Sequence, residues 1–349
     1  MGHKANIVVA GAGAFGSTIA LILARAGHRV RVLDPALAAD NASAVAAGML
    51  APAFETLFDE TAHGRFELLK LARDRWPDLA RSIELELDRR GALAVGARTQ
   101  VETWAERMVG FGAVVEMLDG ERLAERSTGH PSAAVGVFTP DDWRIQPRPA
   151  LAALRRAGEA AGVRYETRRL AVGGASPGPG ELLVCATGAD RGLAAMAPEL
   201  DALAPIKGHI LRATTAGGAA SVVRGEGVYL CHGPGEVILG ASMEVGVGDP
   251  GIDPAVVGDL IARAERLWPG AANLPWRAET GVRAATPDGL PLVGWSVRPN
   301  VLLAVGARRN GWLLAPLVAE TVLGLVEERP RSRAAALFDP ARPPVSRLR

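Results

Sequence analysis

The chain has 349 residues, 48% of them hydrophobic and 22% charged, with a net charge of +1. That length allows two lobes, and the charge balance excludes the broad basic field of a nucleic-acid-binding surface. Its two cysteines, Cys185 and Cys231, are too few for a disulfide framework or a tetrahedral zinc site, so no metal is expected and a reducing compartment is. The apolar stretch from Ile7 to Ala26 is broken by Gly11, Gly13 and Gly16, which argues against a membrane span and for a cytoplasmic protein.

In chain order, Asn6–Ala10 reads as a short buried strand and Phe15–Ala26 as a helix stopped by Gly27. His28–Asp34 reads as a second strand. A loop with a small-residue core from Ala42 to Gly48 follows. His63–Arg90 has the pattern of one or two amphipathic helices, broken near Trp76-Pro77. Val101–Val115 reads as helix and Leu118–Arg126 as loop. "AAVGVFTPDDWRIQP" reads as strand then turn, and Pro149–Ala161 as helix. Then come the strand "VRYETRRLAV", a hairpin or loop at Ser176–Gly180, and the buried strand "ELLVCATG". From Ile206 to Met243 the pattern turns to strands, in "HILRAT", "GVYLCH" and "EVILGASM". Asp253–Trp268 is helical, "ETGVRAATPDGLPLVG" is strand and turn, and "NVLLAVG" is a strand. Trp312–Glu328 is a closing helix, and the tail after Pro330 is expected to fray. Strand–helix units thus open and close the chain around a β-rich middle, which points to interleaved rather than consecutive domains.

Gly11, Gly13 and Gly16 form G-x-G-x-x-G between the first strand and the first helix, spanning Gly11, Ala12, Gly13, Ala14, Phe15 and Gly16. Gly11 permits the tight turn, Gly13 lets backbone approach a pyrophosphate, and Gly16 lets the helix lie close to the sheet. Asp34 ends the second strand about twenty residues on, placed for ribose hydroxyls. Its charge argues against a 2′-phosphate. The fingerprint alone leaves NAD and FAD both open.

"NASAVAAGMLAP" (41–52), followed in order by "LLVCATGADR", "ETGVRAATPDGLPLVG" and "GARRNGWLLAP", resembles the D-amino-acid oxidase superfamily of FAD-dependent amine oxidases. Within it, the chain is most similar to the glycine oxidase branch of thiamine biosynthesis. The resemblance runs from Asn6 to about Glu328, with 95–132 contributing little. It implies non-covalent FAD. Ser43 would reach the pyrophosphate, and Ala46, Ala47, Gly48 and Met49 would lie along the flavin. Thr187 and Gly188 would close over the dinucleotide, and the Leu170 backbone would meet adenine. Arg308, Asn310, Gly311, Trp312 and Leu313 would stand at the ring's carbonyl edge, with Arg308 itself turned to solvent. On the substrate side it implies Arg283 and Tyr229 for the carboxylate, with Arg309 and Met243 beside the pocket.

The chain departs from the family pattern at Ala307 and Arg308, where a His or Tyr often stands, and at His232, where a Pro often does. The implied reaction is oxidation of a small amine or amino acid to an imine, then a 2-oxo acid, with O2 reduced to H2O2. Glycine, sarcosine or small D-amino acids are the implied substrates. A flavin dehydrogenase with another acceptor, a nicotinamide dehydrogenase and a non-catalytic FAD-binding subunit are the competing readings. Lys207 is the one candidate for a lysine beside the flavin. The expected fold class is α/β (α+β overall), a Rossmann-like FAD-binding domain interleaved with a substrate domain built on a mixed or antiparallel sheet with flanking helices. The expected division is 1–78, 143–205 and 285–349 for FAD, and 79–142 and 206–284 for substrate. A homo-oligomer is possible; no nucleic-acid or membrane partner is expected.

Overall fold

The computed structural model describes residues 4–36, 41–127, 133–170, 178, 180–215 and 222–343. Two large sheets organise them. The first has six strands, in spatial order Leu292–Trp295, Val301–Val305, Glu181–Cys185, Asn6–Ala10, Arg29–Asp34 and Arg164–Thr167. All its neighbours are parallel except Leu292–Trp295, which runs antiparallel to Val301–Val305. Its central strands are buried on both faces and therefore read as continuous apolar runs. Ile7 and Val9 face one core with the helices Ala14–Arg25, Pro147–Ala160 and Gly311–Val326. Val8 and Ala10 face another, with Leu193, Leu200 and Leu203.

The second sheet has nine strands. Its path runs Glu244–Val245, Ala204–Thr214, Glu236–Gly240, Val228–Gly233, Val222–Gly225, Ala92–Gly96, Val135–Thr139 and Glu116–Asp119, while Arg277–Ala285 also pairs with Ala204–Thr214. Only Val222–Gly225 and Ala92–Gly96 pair in parallel; the rest are antiparallel. The period-2 alternation sorts side chains onto two faces. Ile210, Tyr229, Cys231 and Ile238 join Phe54 on one, and Leu211, Leu230 and Leu239 pack on the Pro254–Leu267 helix on the other. A two-stranded ladder of Met49–Leu50 with Trp143–Arg144 stands beside these sheets.

Four local expectations change. The small-residue stretch opens as a short helix, Ala42–Val45, capped by Asn41 Oδ1, which accepts the Ala44 N–H at 3.0 Å. The helical region after His63 breaks near Trp76 as expected, into Phe66–Arg73 and Trp76–Ser82 with Pro77 in the tolerated first turn, but helix ends at Ser82 rather than running to Arg90. The expected loop at Leu118–Arg126 is the strand Glu116–Asp119 followed by the helix Gly120–Ser127, whose buried residues are Leu123 and Ser127. The tail does not fray at Pro330: Arg333–Phe338 is a helix that buries Phe338 completely. The expected turn at 176–180 lies largely outside the described residues, as does the end of "VRYETRRLAV".

Candidate active site

The cofactor end begins where the Asn6–Ala10 strand meets Gly11. Its φ of +106° is left-handed, and a side-chain carbon there would come 2.3 Å from the Ala186 carbonyl oxygen. A carbon on Gly16 would come 1.9 Å from the Gly11 carbonyl oxygen, so turn and helix pack backbone on backbone. The Ala14–Arg25 helix has no side-chain cap on Gly13, and buries Phe15 in its first turn. Its N-terminus is a ready anion site. Ser43 reaches this turn, its Oγ accepting the Ala14 N–H at 2.9 Å. Asp34 accepts from Ala12 N–H at 2.6 Å and Ala36 N–H at 2.8 Å, bracing the turn from the second strand. Thr187 lies beside Gly11 and ahead of Gly188, with its hydroxyl donating to the Asp190 carbonyl at 2.8 Å. Leu170 is buried past the Arg164–Thr167 strand, in one core with Val8 and Leu33.

Ala46, Ala47, Gly48 and Met49 line a cavity of about 1420 Å³, together with Asn310 and Trp312. Gly48 has φ +76°, and a carbon on it would come 2.1 Å from the Ile145 carbonyl oxygen. Across the cavity, the Gly311–Val326 helix follows Asn310 without a side-chain cap, so its first-turn N–H groups stay available. Trp312 donates its indole N–H to the Ser43 carbonyl at 2.9 Å and accepts from Trp76 Nε1 at 3.0 Å through its own carbonyl; Leu313 is fully buried. A helix N-terminus behind a glycine turn, with only its first N–H taken by Ser43, a small-residue strip and a second, uncapped helix facing it suit a dinucleotide carrying a flat ring. FAD therefore fits the residues present.

The substrate end centres on Arg283 and Tyr229, both lining the cavity. Arg283 lies on the Arg277–Ala285 strand and backs onto Gly208, where a side-chain carbon would come 2.4 Å from its Nη1. It keeps some accessible surface because it opens on the cavity, yet burial pulls its pKa down. No carboxylate lies within 4.0 Å of it among the described residues; Glu55, farther off, favours its charge, while Arg309 and Arg308 oppose it. Tyr229 turns its hydroxyl toward Gly240, and burial pushes its pKa to about 12, so it is a neutral donor at any working pH.

Arg309 also lines the cavity, but it is already paired. Glu55 Oε1 lies 3.0 Å away and Asp59 3.9 Å away, and Glu55 raises the arginine's pKa. Arg308, expected in solvent near the cofactor, is turned elsewhere: with φ +50° it sends its guanidinium to Asp59 and to Thr61 Oγ1. Glu55 and Asp59 stand four positions apart, so two successive arginines meet two acids one helical turn apart. Met243 lines the cavity, 38% exposed, with Arg308 Nη2 3.9 Å from its sulfur. Lys207 points away from the cavity: on its strand Ile206, Gly208 and Ile210 share the other face, and Lys207 pairs with Asp249 at 3.3 Å. His232 turns its ring to Trp268, on the sheet's far side. Both cysteines are fully buried and line no part of the cavity, and burial pushes the Cys185 thiol up to about 12.

Several site residues carried no sequence signal. Glu55 and Arg224 line the cavity 3.7 Å apart, and Asp142 accepts the Ala53 and Phe54 N–H groups at 2.7 and 3.1 Å, fixing the helix that carries Glu55. Behind the small-residue strip, Arg144 and Arg212 bind its carbonyls. The acid spacing in "PAFETLFD" was the only trace available, and its partners lie some 250 positions on.

Comparison with known proteins gives the chain's family and fold. A family model described as DAO, FAD dependent oxidoreductase, matches residues 6–325. Glycine oxidase of Geobacillus kaustophilus is 29% identical over 94% of both chains. The bifunctional protein ThiO/ThiG of Trichormus variabilis is 29% identical over 93% of this chain, which spans 53% of that protein. The crystal structure of glycine oxidase from Geobacillus kaustophilus superposes with a TM-score of 0.84 at 25% identity, covering 97% of this chain and 99% of the other.

Proposed function

We propose that this chain, which belongs to the DAO family of FAD-dependent oxidoreductases, oxidises a small carboxylated amine such as glycine, sarcosine or a small D-amino acid. The product is the imine, which water converts to a 2-oxo acid, and O2 is the final acceptor. The carrying observation is Arg283: a guanidinium on the cavity wall, with no carboxylate within 4.0 Å among the described residues, beside a neutral tyrosine hydroxyl. A buried cation of this kind favours a bidentate carboxylate ligand. Arg309 is neutralised by Glu55 and is the less available of the two.

FAD, when bound, supplies the hydride acceptor. This chain's residues bind and orient. Arg283 and Tyr229 fix the carboxylate and so aim the Cα–H bond, and the small side chains at Ala46 and Ala47 leave room for close approach. The likeness to glycine oxidase and to the ThiO/ThiG protein supports a role in supplying thiazole assembly. The proposed division into FAD segments (1–78, 143–205, 285–349) and substrate segments (79–142, 206–284) rests on which strands enter which sheet. A cytoplasmic location and a homo-oligomer belong to the same reading; among the described residues no helix is long and apolar enough to cross a membrane.

The test is anaerobic mixing of the yellow protein with glycine, sarcosine and D-alanine. Bleaching is expected; a flavin that stays oxidised with every carboxylated amine overturns the reading. Peroxide formation on admitting air separates O2 from another acceptor. Arg283→Ala should raise KM for such amines tenfold or more with a smaller change in kcat, the mark of uniform binding.

A further inference from the structure

The strip that lines the cavity is held from behind by two buried arginines that touch neither its cavity face nor the substrate residues. Arg212, 5% exposed, donates from Nη2 to the Val45 carbonyl at 2.9 Å and lies 3.4 Å from those of Ala44 and Ala46. Arg144, 6% exposed, donates from Nε to the Ala47 carbonyl at 2.9 Å and from Nη1 to the His232 carbonyl at 2.9 Å. Ile145 N–H takes the Gly48 carbonyl at 2.9 Å. Every carbonyl from Val45 to Gly48 is therefore claimed on the side away from the cavity. Among the described residues the N–H groups of Ala47 and Gly48 have no acceptor. Buried amides require partners, so this edge is set to donate into the cavity.

The two arginines differ in charge balance. Arg212 is matched by Glu279 at 3.0 Å and Glu236 at 2.8 Å. Arg144 has no carboxylate within 4.0 Å among the described residues; Asp88, the nearest acid to feel its charge, is itself paired with Arg90 at 2.6 Å. We propose that Arg144 and Arg212 are positioning residues for the flavin. Arg212 is a neutralised clamp that holds the amide edge in place. Arg144 is a clamp that also places a positive charge, with no carboxylate in ion-pair contact, one peptide behind the edge, favouring the negatively charged reduced ring. Arg144 further ties the strip to the Val228–Gly233 strand that carries Tyr229, so it fixes the spacing between cofactor and substrate residues. This rests on the reading that the ring seats against residues 46–49.

The test measures FAD dissociation constant and two-electron midpoint potential, which need no turnover. Arg144→Gln should weaken FAD binding about tenfold, as expected for lost charge-assisted hydrogen bonds, and move the potential to more negative values. Arg144→Lys should keep the potential while losing part of the affinity. Arg212→Lys should weaken binding with the potential unchanged. Equal potentials in wild type and Arg144→Gln, or equal shifts in the Gln and Lys variants, overturn the proposal. If Arg144→Gln does not fold, Arg144→Lys decides it alone: unchanged FAD affinity overturns the clamp. Ala46→Leu checks the underlying reading, since it adds bulk to the strip's cavity side. Unaltered FAD binding in that variant removes the seat itself, whereas weakened binding there with silent arginine variants removes only the proposal.

Discussion

At the scale of single residues, the pocket separates cations by what already faces them. Arg308 and Arg309 are occupied by Asp59 and Glu55, and Arg224 lies 3.7 Å from Glu55, whereas Arg283 has no carboxylate within 4.0 Å among the described residues, which is why the proposed function gives it the substrate anion. Tyr229 adds one neutral hydroxyl, so Tyr229→Phe should lower kcat/KM for a carboxylated amine about tenfold, the value of one hydrogen bond to a charged group; steady-state kinetics on a flavin-replete variant checks it. That Arg283, Tyr229 and Arg309 would meet at one cavity was legible because each sits in a short motif with its own surroundings. Arg308 was misread, since a sequence cannot show that an acid from residue 59 occupies it. Glu55, Arg144 and Arg224 were not legible for the same reason: an ion pair or a carbonyl clamp leaves no mark on the residues between its ends.

At the scale of elements, strands and helices with a clear period or an all-apolar run were readable to within a few residues. Asn6–Ala10, Glu181–Cys185, Val301–Val305 and Pro254–Leu267 are examples. Those whose order comes from elsewhere were not. Gly120–Ser127 is almost wholly charged and polar outside Leu123, so its own apolar stripe is too thin to announce a helix. Arg333–Phe338 is too short to be stable alone. It is anchored by Ser332, whose Oγ accepts the Ala335 N–H at 3.1 Å, and by Phe338, which joins the core of Trp312 and Leu314. Phe338→Ala should therefore destabilise the protein by about 3–5 kcal/mol, read as a shift in the urea midpoint at constant m; a change under 1 kcal/mol would return this helix to the status of a loose tail.

At the scale of the whole molecule, titration of buried carboxyls sets how stability depends on pH. For Asp59, Asp88, Asp288 and Glu279, burial works to raise the pKa but hydrogen bonds and nearby arginines or Thr61 prevail, and each ends below its usual value. Such groups contribute stability above the unfolded carboxyl pKa of about 4, and that stability is lost as pH falls through their lower folded values. Asp142 acts in the opposite sense. Burial lifts it to about 7 against the pull of Arg224, so the native state holds a proton that the unfolded chain releases near pH 4. Its contribution declines as pH rises from about 4 to 7. Urea unfolding across pH should show a steep acid loss and a shallow fall toward neutrality; Asp142→Asn should abolish the fall and keep the acid limb. The interleaving of the sheets was legible in outline, because β-α-β units at both ends bracket a strand-rich middle, but strand order was not.

That interleaving also bears on how the chain is made. The six-stranded sheet takes strands from the first 34 residues, from 164–185 and from 292–305, and the Ala14–Arg25 helix packs against Gly311–Val326. During vectorial synthesis the glycine turn emerges first and waits through most of translation for the helix that covers it. Cofactor capture is therefore a late, near-complete-chain event, and a nascent chain stalled before residue 300 carries an apolar, unpaired sheet edge that needs shielding.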